Sequence, residues 1–253
     1  MLKAKKSDWY KNGWDLNIKN AGWTENTVNE VDFIIKTLGL TGSERILDLA
    51  CGYGRHSLEF AKRGYEVVGA DITKCYVDDA NENAKKLGVN AKFIQSDIRD
   101  VSFENEFDVV LNLADGAIGY LENDEENEKI FDVVARALKN GGKHFCDIGN
   151  AEHAEHYFPT THYDLGEKSL SLAEFDYNKD THIMLFGGWD LPYGEPLIKP
   201  EICMGDPTRL YCTAELKEIY AKRNMQISDT FCDYTGKPAS YKDYQLMVYA
   251  VKN

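Results

Sequence analysis

The sequence predicts an α/β protein built on a doubly wound, Rossmann-like, mainly parallel sheet. Three observations predict it. Short apolar runs recur at 45–49, 66–70, 91–95, 107–113 and 143–148. Stretches with helical spacing of apolar residues separate most of them. A glycine loop, Cys51-Gly52-Tyr53-Gly54, follows the first run directly, and the second run ends on an acid, Asp71. Strands that alternate with helices pair in parallel and bury both sheet faces, with ligands at the loops on one edge.

Residues 1–24 hold Trp9, Tyr10, Trp14 and Trp23 among Asn and Lys. Exposed tryptophans are costly, so this segment must dock. Val28, Val31, Ile34, Ile35 and Leu38 predict a helix over 25–38, broken at Thr41-Gly42-Ser43. The first strand is Arg45–Leu49, followed by a helix over Arg55–Arg63 that Gly64 ends. The second strand, Glu66–Ala70, leads to a helix from Lys74 to Leu87. The third and fourth strands are Ala91–Gln95 and Phe107–Leu113. A helix from Asp124 to Leu138 takes Asp124 as N-cap and stops at Asn140-Gly141-Gly142. The fifth strand is Lys143–Ile148. The pattern then changes. A short helix over Glu152–Tyr157 precedes a hairpin of Ser169–Tyr177 and Thr181–Trp189, a proline-rich stretch, and a strand at Thr208–Cys212. Thr213 caps a helix to about Arg223, and Ile227–Asp233 and Tyr244–Val251 return to the main sheet. The chain therefore reads as one domain. Its core is 41–149 plus 212–253, with an N-terminal helical lid over 1–40 and an inserted β-rich lid or sheet extension over 150–211.

The chain has 253 residues, enough to bury a core without disulfides or structural metal. Its net charge of -13 repels nucleic acid, and Lys3, Lys5 and Lys6 are the only dense basic cluster. Six cysteines, at 51, 75, 146, 203, 212 and 232, show no CxxC spacing, so zinc and thioredoxin motifs are excluded. No signal peptide or membrane span is read. The expected setting is cytoplasmic, with reduced thiols, a small-molecule partner, and a monomer or homodimer.

The strand ends carry the chemistry. Gly52 and Gly54 let the backbone turn and a ligand approach. The next helix offers free amides to a carboxylate or phosphate. A dinucleotide fingerprint needs a third glycine where Ser57 stands. Asp48, four residues before Gly52, suits a ligand with an amino group, whose carboxylate the loop amides and Arg55 would bind. Asp71 suits two ribose hydroxyls. Asp97 suits an adenine amino group, with Ile98 on the ring. Any one acid at a strand end is also an ordinary cap or loop residue; three on successive ends of one edge are harder to dismiss. Ile72 after Asp71 and Asn112 at the end of the fourth strand lie on the same edge.

Residues 44–148 resemble the class I S-adenosylmethionine-dependent methyltransferases. The match is Ile46-Leu47-Asp48-Leu49-Ala50-Cys51-Gly52-Tyr53-Gly54, Val67-Val68-Gly69-Ala70-Asp71, Gln95-Ser96-Asp97-Ile98, Phe107-Asp108-Val109-Val110-Leu111 and Leu138-Lys139-Asn140-Gly141-Gly142. The resemblance implies a seven-stranded sheet with one antiparallel strand. It also implies S-adenosylmethionine as cofactor, S-adenosylhomocysteine as product, and cofactor at the strand ends. Ala50 stands where the family usually has its first glycine, and fits if its φ is negative. Thr208-Arg209-Leu210-Tyr211-Cys212-Thr213 and the closing strand resemble a subgroup of small-molecule and uncharacterised methyltransferases.

Candidates for catalysis follow from location. His56 starts a helix beside the cofactor loop, where imidazolium is disfavoured; it is a polar wall or a cap. Asp115 and Tyr120 follow the fourth strand, although Asp115-Gly116 also reads as a plain turn. For substrate, His153 (with His156 at i+3) and the alternating pair Arg209 and Tyr211 stand out; Arg209 meets an acidic substrate group or an internal carboxylate. No third ligand joins the histidines, so no metal is assigned. Tyr10 and Trp14, at i and i+4, close over the cofactor or dock the N-terminal segment. The leading reading is methyl transfer to N or O of a small molecule by in-line displacement. The alternatives are protein or RNA methylation, a non-catalytic cofactor-binding module, and a nicotinamide oxidoreductase, which Ser57 disfavours.

Overall fold

The structure is a computed structural model that describes residues 2–20, 24–166, 169–196, 198 and 203–253. Trp23 and Pro200 lie outside the described residues. Along the chain, β1 (Lys3–Ala4) and α1 (Thr27–Leu38) precede β2 (Arg45–Leu49), α2 (Arg55–Lys62), β3 (Glu66–Asp71), α3 (Lys74–Leu87) and β4 (Ala91–Gln95). Then come β5 (Phe107–Asn112), α4 (Asp124–Ala137), β6 (Leu138–Gly149) and α5 (Ala151–Tyr157). Strands β7 (Thr160–Leu165), β8 (Ser169–Asn178), β9 (Ile183–Pro192) and β10 (Met204–Arg209) lead to α6 (Thr213–Ala221), β11 (Met225–Phe231) and β12 (Gln245–Lys252).

Seven strands form one sheet in the order β11-β12-β6-β5-β2-β3-β4. The pairings from β6 to β4 are parallel, and β12 alone runs against both of its neighbours. The seven-stranded expectation with one reversed strand thus holds. Both faces are covered, which is why the strands are apolar runs. On one face Leu47, Val110, Cys146 and Val248 pack with Phe131 of α4 and Tyr220 of α6. On the other, Ile46, Val109, Phe145 and Met247 pack with Ile34 of α1 and Phe60 of α2. Phe131 and Phe145 are fully buried, and truncating either to alanine would cost about 3–5 kcal/mol.

The insert builds a second sheet in the order β1-β10-β9-β8-β7. The sequence shows its hairpin but not β7, whose residues are largely exposed and lack alternation. Nor does it show β1, which pairs in parallel with β10 at Lys3↔Met204. The N-terminal segment is therefore not a purely helical lid. It opens on a strand, continues through short 3₁₀ turns at Trp9–Lys11 and Leu16–Asn20, and only then enters α1.

Two caps fall one residue before their expected place. Asn123, not Asp124, caps α4 by accepting from the Glu126 amide at 2.9 Å. Asp124, Glu125 and Glu126 instead fill the first turn, where negative charge meets the helix dipole. Cys212, not Thr213, caps α6 in a reciprocal box with Glu215. The last parallel strand also begins early. The chain enters β6 at Leu138 and passes through Asn140-Gly141-Gly142 within it.

Candidate active site

The loop after β2 is shaped by its backbone geometry. Ala50, Gly52 and Gly54 all have positive φ, at 55°, 57° and 76°. The expectation of a negative φ at Ala50 is therefore overturned. A left-handed alanine costs about 1–2 kcal/mol, offset here by bonds from the Cys51 amide to the Ala70 carbonyl (3.1 Å) and from the Gly52 amide to Asp71 Oδ2 (2.8 Å). Glycine is needed at 54 for space as well, since a Cβ there would meet Phe93 at 2.6 Å.

Asp71 closes β3 and fastens two loops at once. Its other oxygen accepts from the Thr73 amide at 2.8 Å. Burial raises its pKa, opposed by these backbone bonds. Each oxygen keeps a further acceptor position for a ribose hydroxyl. Asp48, on β2, is buried and accepts from the Ser57 hydroxyl at 2.5 Å. Burial pushes its carboxyl up to about 7, against the pull of Ser57 and Arg55. Such a group gains from a cation beside it, and an ammonium would supply one. Asp97 follows β4 and pairs with Arg99, Nη2 to Oδ2 at 2.5 Å. The Arg99 bonds hold its carboxyl below the usual range despite burial. Ile98 is buried beside it, and Ile72 packs half-buried on the same core.

Arg99 links this edge to the N-terminal segment. It also binds Glu122 (3.0 Å) and Glu126 (2.6 Å), and the Tyr10 hydroxyl donates to Glu122 at 2.9 Å. Tyr10 is buried in the core. Trp14 instead stacks on Tyr120, with centroids 6.4 Å apart and planes at 9°, while Trp9 lies 4.9 Å from the same ring. Tyr10 and Trp14 thus dock on different neighbours.

His56 faces away from a catalytic task. Its Nε2 lies 2.6 Å from Glu30 Oε2 of α1, which Arg55 also binds. Burial pushes the imidazole down to about 4, so at neutral pH it donates an N–H to Glu30 without charge. It ties α1 to α2, and the sequence could not show its partner. Asn112 also corrects an expectation. Its amide donates to the Gly116 carbonyl (2.8 Å), its oxygen lies 3.1 Å from His144 Nε2, and the residue is fully buried. One end of the side chain thus holds the loop after β5 and the other faces β6, so Asn112 has a structural place inside the sheet.

The loop after β5 is strained. Ala114, Asp115 and Ala117 have positive φ, as do Gly116 and Gly119. Left-handed non-glycine residues cost about 1–3 kcal/mol each and gather at functional sites. Asn127 of α4 holds the loop by accepting from the amides of Gly119 (3.0 Å) and Leu121 (3.1 Å). The Asp115 amide donates to the Asp147 carbonyl at 2.8 Å. The Tyr120 hydroxyl donates to Asp115 Oδ2 at 2.9 Å. Asp115 is therefore no plain turn residue. Burial raises its pKa, with Tyr120 opposing.

Three residues here escape sequence reasoning. Asp147, on β6, is 6 % exposed and accepts from the Tyr234 hydroxyl at 2.8 Å. Burial pushes it up to about 7, Tyr234 opposing and the Asp115 charge adding. Tyr244, just before β12, reaches Met184 Sδ of the second sheet at 3.5 Å. One signal existed: an acid near the end of the apolar fifth strand, in line with Asp48 on the first.

The proposed substrate residues spread apart. Arg209 is bound by Glu215 Oε1 (2.5 Å) and Asp124 Oδ1 (3.2 Å) and lies over the Tyr211 ring at 4.6 Å. It takes the internal-carboxylate role that the sequence left open. Tyr211 is buried against Phe131. His153 stacks on Tyr157 at 4.6 Å and meets the edge of Tyr244 at 6.0 Å. His156 Nδ1 lies 2.8 Å from the Glu152 carbonyl. Among the described residues no three His, Cys, Asp or Glu side chains gather as a metal site.

These residues fit S-adenosylmethionine. A buried carboxyl in need of a cation (Asp48 on β2), the amides at the start of α2 and a second acid with spare acceptor positions (Asp71 on β3) lie on one sheet edge. The sheet order changes direction between β2 and β5, the place at which open α/β sheets bind ligands. Fold and edge together define a nucleotide-cofactor transferase. Residues 46–142 match the family model described as methyltransferase domain. A putative methyltransferase of Bacillus subtilis (strain 168) is 26% identical over 215 residues, covering 83% of this chain and 84% of that protein. The glycine/sarcosine N-methyltransferase of Aphanothece halophytica is 29% identical over 159 residues, covering 59% and 58%. The match to a Geobacillus putative methyltransferase spans 64% of its length, so the chain spans about three-fifths of several relatives. The CcbJ methyltransferase from Streptomyces caelestis shares the fold, with TM-score 0.77 at 14% identity, covering 98% of this chain and 96% of that one. Residues 46–142 thus carry a methyltransferase domain, and the fold around it is that of the class I S-adenosylmethionine-dependent methyltransferases.

Proposed function

We propose that the chain methylates a nitrogen or oxygen of a small molecule by in-line displacement. The bound cofactor supplies a methyl group on a positively charged sulfur, already a strong electrophile. Asp48, Asp71 and Asp97, with Ile72 and Ile98, are proposed to hold its amino-acid, ribose and adenine parts, and the Arg55 region its carboxylate.

One observation carries the small-molecule reading. Tyr120, which holds Asp115, lies under Trp9 and Trp14, and the Trp9 indole donates to the Pro207 carbonyl of β10 at 3.1 Å. The second sheet and the N-terminal segment thus meet over Tyr120, beside the loop after β5. A cover of this kind keeps water from a bound acceptor and limits its size. Placing the nucleophile against the methyl group there can supply about 7–11 kcal/mol of barrier reduction in favourable cases. The net charge of -13 further opposes an RNA acceptor. No helix among the described residues is long and apolar enough to cross a membrane. Several similar proteins are titled as N-methyltransferases of glycine, a sugar or a glycopeptide, which agrees with this reading.

Calorimetry with S-adenosylhomocysteine and with NAD tests the donor half: the former binds and the latter does not. Labelled cofactor incubated with a metabolite extract tests the acceptor half. Binding with no methylated product would leave a cofactor-binding module.

A further inference from the structure

We infer that the methyl acceptor is a basic amine that enters as its ammonium form, and that Asp147, seconded by Asp115, binds it and takes its proton. The inference rests on the proposed methyl transfer and adds the substrate class.

The geometry is specific to this end of the sheet. Asp147 lies on β6, and the Asp115 amide bonds its carbonyl. Of its two carboxylate oxygens, Oδ2 accepts from Tyr234, while Oδ1 has no hydrogen-bond partner among the described residues. A buried carboxylate oxygen without a donor is costly, so its absence of a partner marks a place for one. The missing partner must be a donor, and a cation is favoured because Asp115 and Glu30 add negative charge around Asp147. Arg55 acts on Asp147 in the opposite sense, and Glu30 already binds that guanidinium.

Position relative to the donor follows from the strand register. Asp48 of β2 pairs with Leu111 of β5, and Leu111 with Phe145 of β6, two residues before Asp147, so the two acids share a sheet face two strands apart. The sulfonium is attached to the amino-acid part of the cofactor. A nucleophile just past Asp48 therefore meets the methyl group in the region of Asp147 and Asp115.

The chemistry balances as follows. The ammonium gives one proton to the Asp147 carboxylate, leaving a neutral amine with a free lone pair. That pair forms the new C–N bond as the C–S bond breaks, and the C–S pair stays on sulfur. The methylated product leaves as an ammonium, and Asp147 then returns its proton to solvent. The raised pKa of Asp147 suits this exchange near neutral pH. Groups facing it are Asp115 after β5, Tyr234 after β11, Tyr244 before β12, Glu30 of α1 and Arg55 of α2.

The test uses the full chain, labelled S-adenosylmethionine and a cell extract, before and after selective N-acetylation of its amines. Incorporation of label is expected in the untreated extract and should fall at least ~10-fold after acetylation. Asp147→Asn should lower incorporation about 100-fold or more, within the range of general acid–base catalysis, while S-adenosylhomocysteine affinity changes less than ~3-fold. Tyr234→Phe removes a bond to the charged form, so the acid limb of the pH–rate profile should move to higher pH; a purely structural role would lower rates without moving it. Label that survives acetylation, or an active Asp147→Asn enzyme, overturns the inference but leaves methyl transfer standing. Failure to bind S-adenosylhomocysteine overturns methyl transfer itself, and this inference with it.

Discussion

The two halves of the sheet edge are built in different ways. At β2, β3 and β4 the acids Asp48, Asp71 and Asp97 sit at or just past successive strand ends, each fixed by neighbours in the adjoining loop or helix. At β5, β6 and β12 the side chains Asp115, Asp147 and Tyr244 are gathered by a strained loop, a distant tyrosine and a second sheet. A fixed donor needs one pocket, which a short segment encodes. Acceptors vary, and the site proposed for one here draws on parts far apart in the chain.

The largest break in this comparison should come at Gly119. Its φ is +90°, and a Cβ would stand 2.0 Å from the Arg209 carbonyl oxygen of β10. Left-handed strain and a backbone clash together cost about 3 kcal/mol or more in Gly119→Ala. Chemical denaturation should show that loss, and methyl transfer should fall further than S-adenosylhomocysteine affinity. The converse is expected of Asp71→Ala. It removes the acceptor of two amides and the proposed ribose contacts, so calorimetry should show S-adenosylhomocysteine binding weakened by about 1–3 kcal/mol. Unchanged affinity would remove Asp71 from the donor site.

The pH response separates the halves less sharply. Burial lifts the folded-state pKa of Asp48 from 3.8 to about 7, so the fold holds that proton more tightly than the unfolded chain does. Its contribution is full below about pH 4 and is lost as pH rises through about 7. His56, held at about 4, and His144, at about 3, act in the opposite sense, adding stability as pH rises towards 6.5. The histidine terms cancel between wild type and Asp48→Asn. The difference in their thermal midpoints should therefore decline from pH 4.5 to 7.5, and a flat difference would contradict the assignment. Smaller still, Tyr120→Phe deletes one hydrogen bond to Asp115 and should lower kcat/KM about 5–10-fold with donor affinity unchanged. Ala50→Gly trades left-handed strain for chain entropy and should shift stability by less than ~1 kcal/mol, towards the stable side.

The same contrast explains what was legible in the sequence. Buried parallel strands must be apolar runs, so β2 to β6 stand out, as do the glycine loop and the acids beside it. Caps shift by one residue because Asn123 and Asp124 both suit the position, and only packing chooses between them. Strand β7 is polar and lies at a sheet edge, so no period marks it. Asp115 and Tyr120 were found from topology alone, but Asp147 was hidden within a strand and Glu30, Tyr234 and Tyr244 carry no local motif. Arg209 was ambiguous for a physical reason, since an arginine seeks a carboxylate wherever one lies.

The pairing of Lys3 with Met204 has a kinetic consequence. Contacts between residues so distant in sequence pay the largest loop-closure entropy and belong late in folding. The β2-to-β4 unit closes through neighbouring segments. Hydrogen exchange during refolding should find Ile46–Ala70 protected before β10. A partly folded chain would then hold its methyl donor before any chamber exists to receive an acceptor.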